Sequence, residues 1–258
     1  MVMLAHVYDE DKYCVGGWYW SEKFDGIRAI WEPDTVGVDT EYNNRRYKAT
    51  GLWSRSGKMI FAPESFTANL PDIRLDGELI GPGSFQQTSS IVRSYDSDWS
   101  DIQYKVFELP GVELEYRRVY KQLVKLGLNH VEQSVIPFFQ SEKYIAERLE
   151  EVVDRGGEGL MLRAPGSVYE NTRSRNLLKV KPVRYGTGLI VGKTPGKGKY
   201  RGMLGALIVE WEGKTFKLSG MTDALRANPP SGTVTFKYRE LSDGGVPKEA
   251  RYHERHSD

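Results

Sequence analysis

The chain is poor in several things that would place it elsewhere. It has a single cysteine, Cys14, among 258 residues, so no disulfide forms within it and a reducing compartment is expected. Its formal net charge is only +1, so any attraction for nucleic acid must come from charge clustered locally. No run approaches the roughly 18–20 apolar residues that cross a bilayer. The N-terminal MVMLAHVYDEDKY has neither the basic start nor the apolar stretch of a signal peptide. Internal repeats and low-complexity tracts are missing too. The expectation is a soluble intracellular protein that does not engage a membrane and works as a monomer.

What is present is an ordinary globular composition, 39% hydrophobic and 28% charged. The length exceeds what one small core needs, which points to one large or two unequal domains. Short runs rich in β-branched and aromatic residues dominate and read as strands: YCVGGWYWSEK, GIRAIW, KMIFA, IRLDGELI, IQYKVFEL, SVIPFF, GLMLR, LLKVK, GLIVGK, GALIVEW, KTFKLS and TVTFKY. Apolar spacing predicts helices over 116–126 and 141–154, with Ser141 as N-cap of the second and Gly156–Gly157 as its stop. Trp18, Trp20 and Trp31 are expected to pack on the sheet. The charge pattern changes near residue 173: Arg173 to Lys217 holds eleven Lys and Arg against Glu210 and Glu212. Pro182 ends LLKVK and RYGTG reads as a connector, so a boundary is expected at about 183. That gives an α+β domain over 1–183 and an all-β domain over 184–258, the latter suited to a small closed barrel such as an OB-fold.

Lys23 stands in SEKFDGIRAIW beside two acids, a glycine and Arg28. An amine attacks phosphorus only when unprotonated, and burial or nearby cations favour that form. The glycine would let backbone approach a ligand closely, and the arginine offers a fork for phosphate or carboxylate. On its own the stretch fits a strand edge of alternating charge equally well. LDGELI puts Asp76 and Glu78 on one side of a strand. GGEGLMLR sets Glu158 between a helix and a buried strand, and LLKVK puts Lys179 and Lys181 on one strand face. Carboxylates that hold a divalent cation and cations that neutralise a triphosphate are what nucleotidyl transfer requires. Taken singly, each fits a solvated strand face.

Together and in this order, the motifs resemble the covalent nucleotidyltransferase superfamily, specifically minimal ATP-dependent DNA ligases, from about Trp18 to Lys181 and more loosely beyond. The resemblance implies an antiparallel-sheet-rich adenylation domain followed by an OB-fold domain. It implies Lys23 as the lysine that carries AMP, preceded by Ser21 and Glu22 at the nucleotide, with Arg28 as its paired arginine. Arg55 in SRSGK would touch nucleotide or nicked strand. Glu78 would meet ribose or metal, Phe107 in YKVFELP would stack on adenine, and Glu158 would be a metal-associated carboxylate. Lys179 and Lys181 would meet the α-phosphate. GPGSFQQTSSIVRS is ligase-like as well, while Glu108 replaces the aspartate more usual in the family. The implied cofactors are ATP and Mg²⁺, with Mn²⁺ a possible substitute, and the implied partner is nicked double-stranded DNA. Lys248, Arg251 and Arg255 are the C-terminal basic residues, any of which could orient pyrophosphate.

VGKTPGKGKYRG invites a phosphate-loop reading that fails on spacing, since Thr187 stands where the first glycine belongs. It reads instead as a basic hairpin whose Lys193, Lys197, Lys199 and Arg201 meet a phosphate backbone. His253 and His256 lack the partners of a metal site. An RNA ligase or an mRNA-capping guanylyltransferase shares the lysine chemistry, and a non-catalytic nucleic-acid-binding protein could share the shape. NAD⁺ as donor is disfavoured, because only about twenty residues precede Lys23 and that class carries a further N-terminal module.

Overall fold

A computed structural model describes residues 2–242 and 244–253. Arg255 and His256 lie outside the described residues. The chain divides into two compact units, 1–180 and 181–258.

In the first unit the strands are β1 (Leu4–Val7), β2 (Tyr19–Glu22), β3 (Ile27–Trp31), β4 (Asp39–Tyr42), β5 (Arg45–Lys48), β6 (Leu52–Ser54), β7 (Leu75–Ile80), β8 (Gln103–Glu108), β9 (Ser134–Val135), β10 (Leu160–Arg163) and β11 (Arg173–Val180). The helices are α1 (Glu64–Thr67), α2 (Phe85–Arg93), α3 (Tyr116–Lys125) and α4 (Ser141–Asp154). Two sheets result. One has the order β1-β11-β10-β2-β9, with β1 parallel to β11 and the rest antiparallel. The other is antiparallel, in the order β6-β3-β7-β8.

Each of the two larger sheets has its own core. Leu75 and Leu79 of β7, Ala29 and Trp31 of β3, and Tyr104 and Val106 of β8 pack with Val119 and Leu123 of α3. Leu160 and Leu162 of β10 and Leu178 of β11 pack with Ile145 and Val152 of α4. The period of two along β7 therefore sends Leu75, Gly77 and Leu79 inward and Asp76 and Glu78 to the opposite face. Trp31 is buried and donates to the Pro71 carbonyl (2.7 Å), while Trp18 and Trp20 pack against the second core.

Several expected elements differ. KMIFA forms no strand; Met59 makes one bridge to Trp53, and Met59 and Ile60 are simply buried. SVIPFF is a strand only at Ser134–Val135; Ile136 still donates to the Trp18 carbonyl and accepts from the Gly17 N–H, pairing stops at Pro137, which has no N–H to donate, and Phe138 and Phe139 stand out 78% and 88% exposed. YCVGGWYWSEK becomes a strand only at Tyr19, after a turn with Gly17 at φ +80°. Ser141 is the first helical residue of α4; Gln140 precedes it as N-cap in the left-handed region. Helix α2 is additional, and Ser84 and Gln87 close a reciprocal capping box at its start.

The second unit holds β12 (Arg184–Pro195), β13 (Leu204–Trp211), β14 (Lys214–Leu218), α5 (Asp223–Ala227), β15 (Thr233–Tyr238), β16 (Glu240–Leu241), β17 (Pro247–Lys248) and β18 (Arg251–Tyr252). RYGTG is not a connector but the start of β12, paired with β15. The sheet order is β14-β13-β12-β15-β18, all antiparallel, around Leu207, Val209, Leu218 and Phe236. Its two ends meet at one parallel bridge, Ser219 to Arg251, so the sheet curls into a barrel that is only just closed. This five-stranded form is the OB-fold.

Candidate active site

The chain passes from the first sheet to the second between β2 and β3, and Lys23 lies on that crossing. Its backbone N–H donates to the Gly159 carbonyl (2.8 Å), which ties it to the segment before β10. Glu158 sits on that same segment, and the Lys23 ammonium forms an ion pair with Glu158 Oε2. Both side chains are mostly buried, at 24% and 10% exposed, so the pair is screened far less than a surface pair would be.

Gly26 is required by packing. A Cβ there would lie 2.3 Å from the Leu79 carbonyl oxygen and 2.8 Å from Glu78 Cγ. A close approach at this glycine is thus made to β7. It brings β3 beside β7 with Arg28 opposite Glu78. Arg28 is held on three sides. Its Nε donates to Asp76 Oδ1 (2.8 Å), its Nη2 pairs with Asp76 Oδ2, and its Nη1 donates to the Met3 carbonyl (2.6 Å). Tyr169 completes the group by donating to Asp76 Oδ2 (2.7 Å) and accepting from the Met3 N–H (3.2 Å). Asp76 has no exposure at all, so this carboxylate anchors Arg28 and leaves Glu78 facing the open space. Burial pushes the Glu78 carboxyl up to about 7; Lys23 and Arg28 pull it down, and Asp76 and Glu158 add to the rise.

On β8 the register slips beside β7, with Asp76 opposite Glu108 and Gly77 opposite Val106, so Phe107 is the extra residue of a β-bulge. A bulge re-aims side chains next to it. Here Phe107 and Glu108, neighbours in sequence, both line the same cavity. The Arg28 guanidinium carbon lies 5.3 Å from the centre of the Phe107 ring. Glu108 pairs with Arg163 Nη2 (3.0 Å), both 5% exposed, and burial holds the Glu108 carboxyl above its ordinary range while Arg163 opposes the rise. Arg163 also lies over the Tyr116 ring at 4.9 Å.

These residues border a cavity of about 300 Å³ in the first unit. Among the expected site residues, Ser21, Glu22, Lys23, Arg28, Arg55 and Glu78 line it, as do Phe107 and Lys179. Glu158 reaches it through Lys23. Lys181 follows the end of β11 and falls in the second unit. Lys193, Lys197, Lys199 and Arg201 sit in or near the β12–β13 hairpin of the second unit. Lys248 is in β17 and Arg251 in β18.

The cavity also takes in Arg163, Arg173, Met161 and Tyr169, which the motifs did not single out. The closing arginine of GLMLR and the basic NTRSR run were the available signals for two of them. Among the described residues no group of three or more His, Cys, Asp and Glu is disposed to hold a metal alone. Magnesium keeps several waters and takes only one or two carboxylates besides substrate phosphates. Glu78 and Glu158, both beside Lys23, fit that donor set.

Residues 2–181 match the family model of the ATP-dependent DNA ligase domain, and residues 195–255 match that of the DNA ligase OB-like domain. A DNA ligase of Haemophilus influenzae is 29% identical over 264 residues, covering 97% of this chain and 90% of that protein. A solved Lig E DNA ligase structure superimposes with a TM-score of 0.80 at 32% identity, over 98% of each chain. The Chlorella virus DNA ligase-adenylate shares the fold, with a TM-score of 0.55 at 20% identity over 100% of this chain and 98% of that one. The chain belongs to the family of ATP-dependent DNA ligases.

Proposed function

We propose that the protein seals nicks in duplex DNA through three displacements at phosphorus, with Lys23 as the nucleophile. In the first, Lys23 Nζ forms a bond to the α-phosphorus of ATP, gives up its proton, and the bond to pyrophosphate breaks. In the second, an oxygen of the 5′-phosphate at the nick takes the AMP and Lys23 is released. In the third, the 3′-hydroxyl attacks that activated phosphate, loses its proton and expels AMP. Positioning and charge stabilisation do most of such catalysis.

The reading rests chiefly on one observation, the Lys23–Glu158 pair at a cavity lined by Arg28, Glu78, Phe107 and Lys179. Phe107 takes the adenine face, Ser21 and Glu22 border the nucleotide, and Arg28 is fixed by Asp76 where ribose or phosphate would lie. Lys179, with Lys181 following it, neutralises the α-phosphate. Magnesium, or manganese in its place, would be held by Glu78 and Glu158 and would neutralise charge at the phosphates. Arg55 and the hairpin cations Lys193, Lys197, Lys199 and Arg201 meet the DNA backbone. A chain with one cysteine suits work inside the cell, and a monomer suffices for these steps.

The test is mass spectrometry of protein stripped with pyrophosphate, then incubated with ATP and Mg²⁺. An AMP adduct on Lys23 is expected, and Lys23→Ala abolishes it. Stripped wild type that takes up no AMP overturns the assignment. GTP in place of ATP, and nicked RNA in place of nicked DNA, test the capping-enzyme and RNA-ligase readings.

A further inference from the structure

The basic hairpin between β12 and β13 is built rather than loose. Its neck is closed by the Gly196 N–H on the Met203 carbonyl (2.9 Å) and by Thr194 Oγ1 accepting from the Ala206 N–H (2.9 Å). A Cβ at Gly196 would lie 2.1 Å from the Tyr200 carbonyl oxygen, so the chain folds tightly back on itself there. Arg226 reaches this hairpin from α5 and is only 9% exposed. Its Nη1 donates to the carbonyls of Leu204 (2.7 Å) and Gly205 (2.6 Å), and its guanidinium carbon lies 4.3 Å from the centre of the Tyr200 ring. Arg226 Nε is buried with no hydrogen-bond partner among the described residues. A buried guanidinium left so is costly, and the aromatic face of Tyr200 offsets part of that cost. Lys199 stands 4.6 Å from the centre of the same ring.

We infer that Arg226 and Tyr200 are positioning residues that hold Lys197, Lys199 and Arg201 in a preset arrangement for the phosphodiester backbone of duplex DNA. The inference rests on the proposed role of the hairpin in DNA binding. Like charges on a short loop repel and spread. Gathering them at the moment of binding costs conformational entropy that a stacked, hydrogen-bonded loop has already lost. The arginine does this from beneath, and its charge is spent on two carbonyls and a ring rather than on DNA.

The experiment measures nicked-duplex affinity across a salt series, together with trypsin cleavage in the hairpin. Lys197→Ala tests the underlying reading: its affinity falls and the slope of log K against log salt drops by about 1. Tyr200→Leu tests the inference. Affinity falls by about fivefold, the salt slope stays at the wild-type value because the same phosphates are met, and cleavage after Lys197, Lys199 and Arg201 accelerates. Tyr200→Phe keeps the ring and restores both. Arg226→Met repeats the pattern if its barrel stays folded; Tyr200→Leu carries the test if it does not. If Lys197→Ala changes neither affinity nor slope, the DNA-binding reading of the hairpin fails. If Lys197→Ala behaves as stated but Tyr200→Leu binds and resists trypsin like wild type, the positioning inference is overturned.

Discussion

At the residue scale, local environment separates side chains that look alike in sequence. Asp76 and Glu78 are two positions apart on one strand, yet Asp76 is consumed by Arg28 and Tyr169 while Glu78 faces the cavity. Burial lifts the Glu78 carboxyl from its ordinary 4.5 to about 7, so between those values the folded chain holds a proton that the unfolded chain has released. Stability from this group is present below about pH 4.5 and is lost as pH rises through about 7. Glu78→Gln removes the loss. The variant's melting temperature, measured without nucleotide, should gain on wild type between pH 5 and pH 8, and a parallel pair of curves would refute the cause given. Glu108 and Arg163 make a second test. Arg163→Met strands a buried carboxylate and should cost about 3–5 kcal/mol in denaturant unfolding, while adding Glu108→Leu should recover most of it.

At the element scale, strands defined by alternation were legible and elements defined by what they touch were not. LDGELI and GLMLR form strands because their apolar residues meet a core on one face. KMIFA is just as apolar and forms none, since no neighbour offers it a ladder beyond one bridge. The bulge that turns Phe107 toward the cavity is invisible in YKVFELP, because register is a property of a pair of strands. Helix α2 left a signal in Ser84 and Gln87, but only Phe85, Ile91 and Val92 are apolar in its nine residues, too few to show a period. Ser84→Ala should cost about 1 kcal/mol and lower the melting temperature of the first unit by about 2–4 °C. Calorimetry checks this, and an unchanged transition would mean that the capping box contributes nothing.

At the scale of the whole molecule, two units with separate cores divide the proposed work. The cavity lies wholly in the first unit and the basic hairpin in the second. Removing residues 184–258 should therefore spare ATP binding, measured by calorimetric titration, while nick sealing and adenylation fall sharply. Normal sealing by the truncated chain would remove the role given to the barrel. By itself, the sequence determined the order of the motifs, the strand-rich character, the change of charge near residue 173 and the family, because these depend on residue type and spacing along one line. Only the tertiary structure decided that Gly26 packs on β7, that Asp76 is a buried anchor, that Phe107 and Lys179 line one cavity, and that Arg226 packs against the hairpin. Each of those depends on which distant segments become neighbours, and burial, register and close approach exist only once they do.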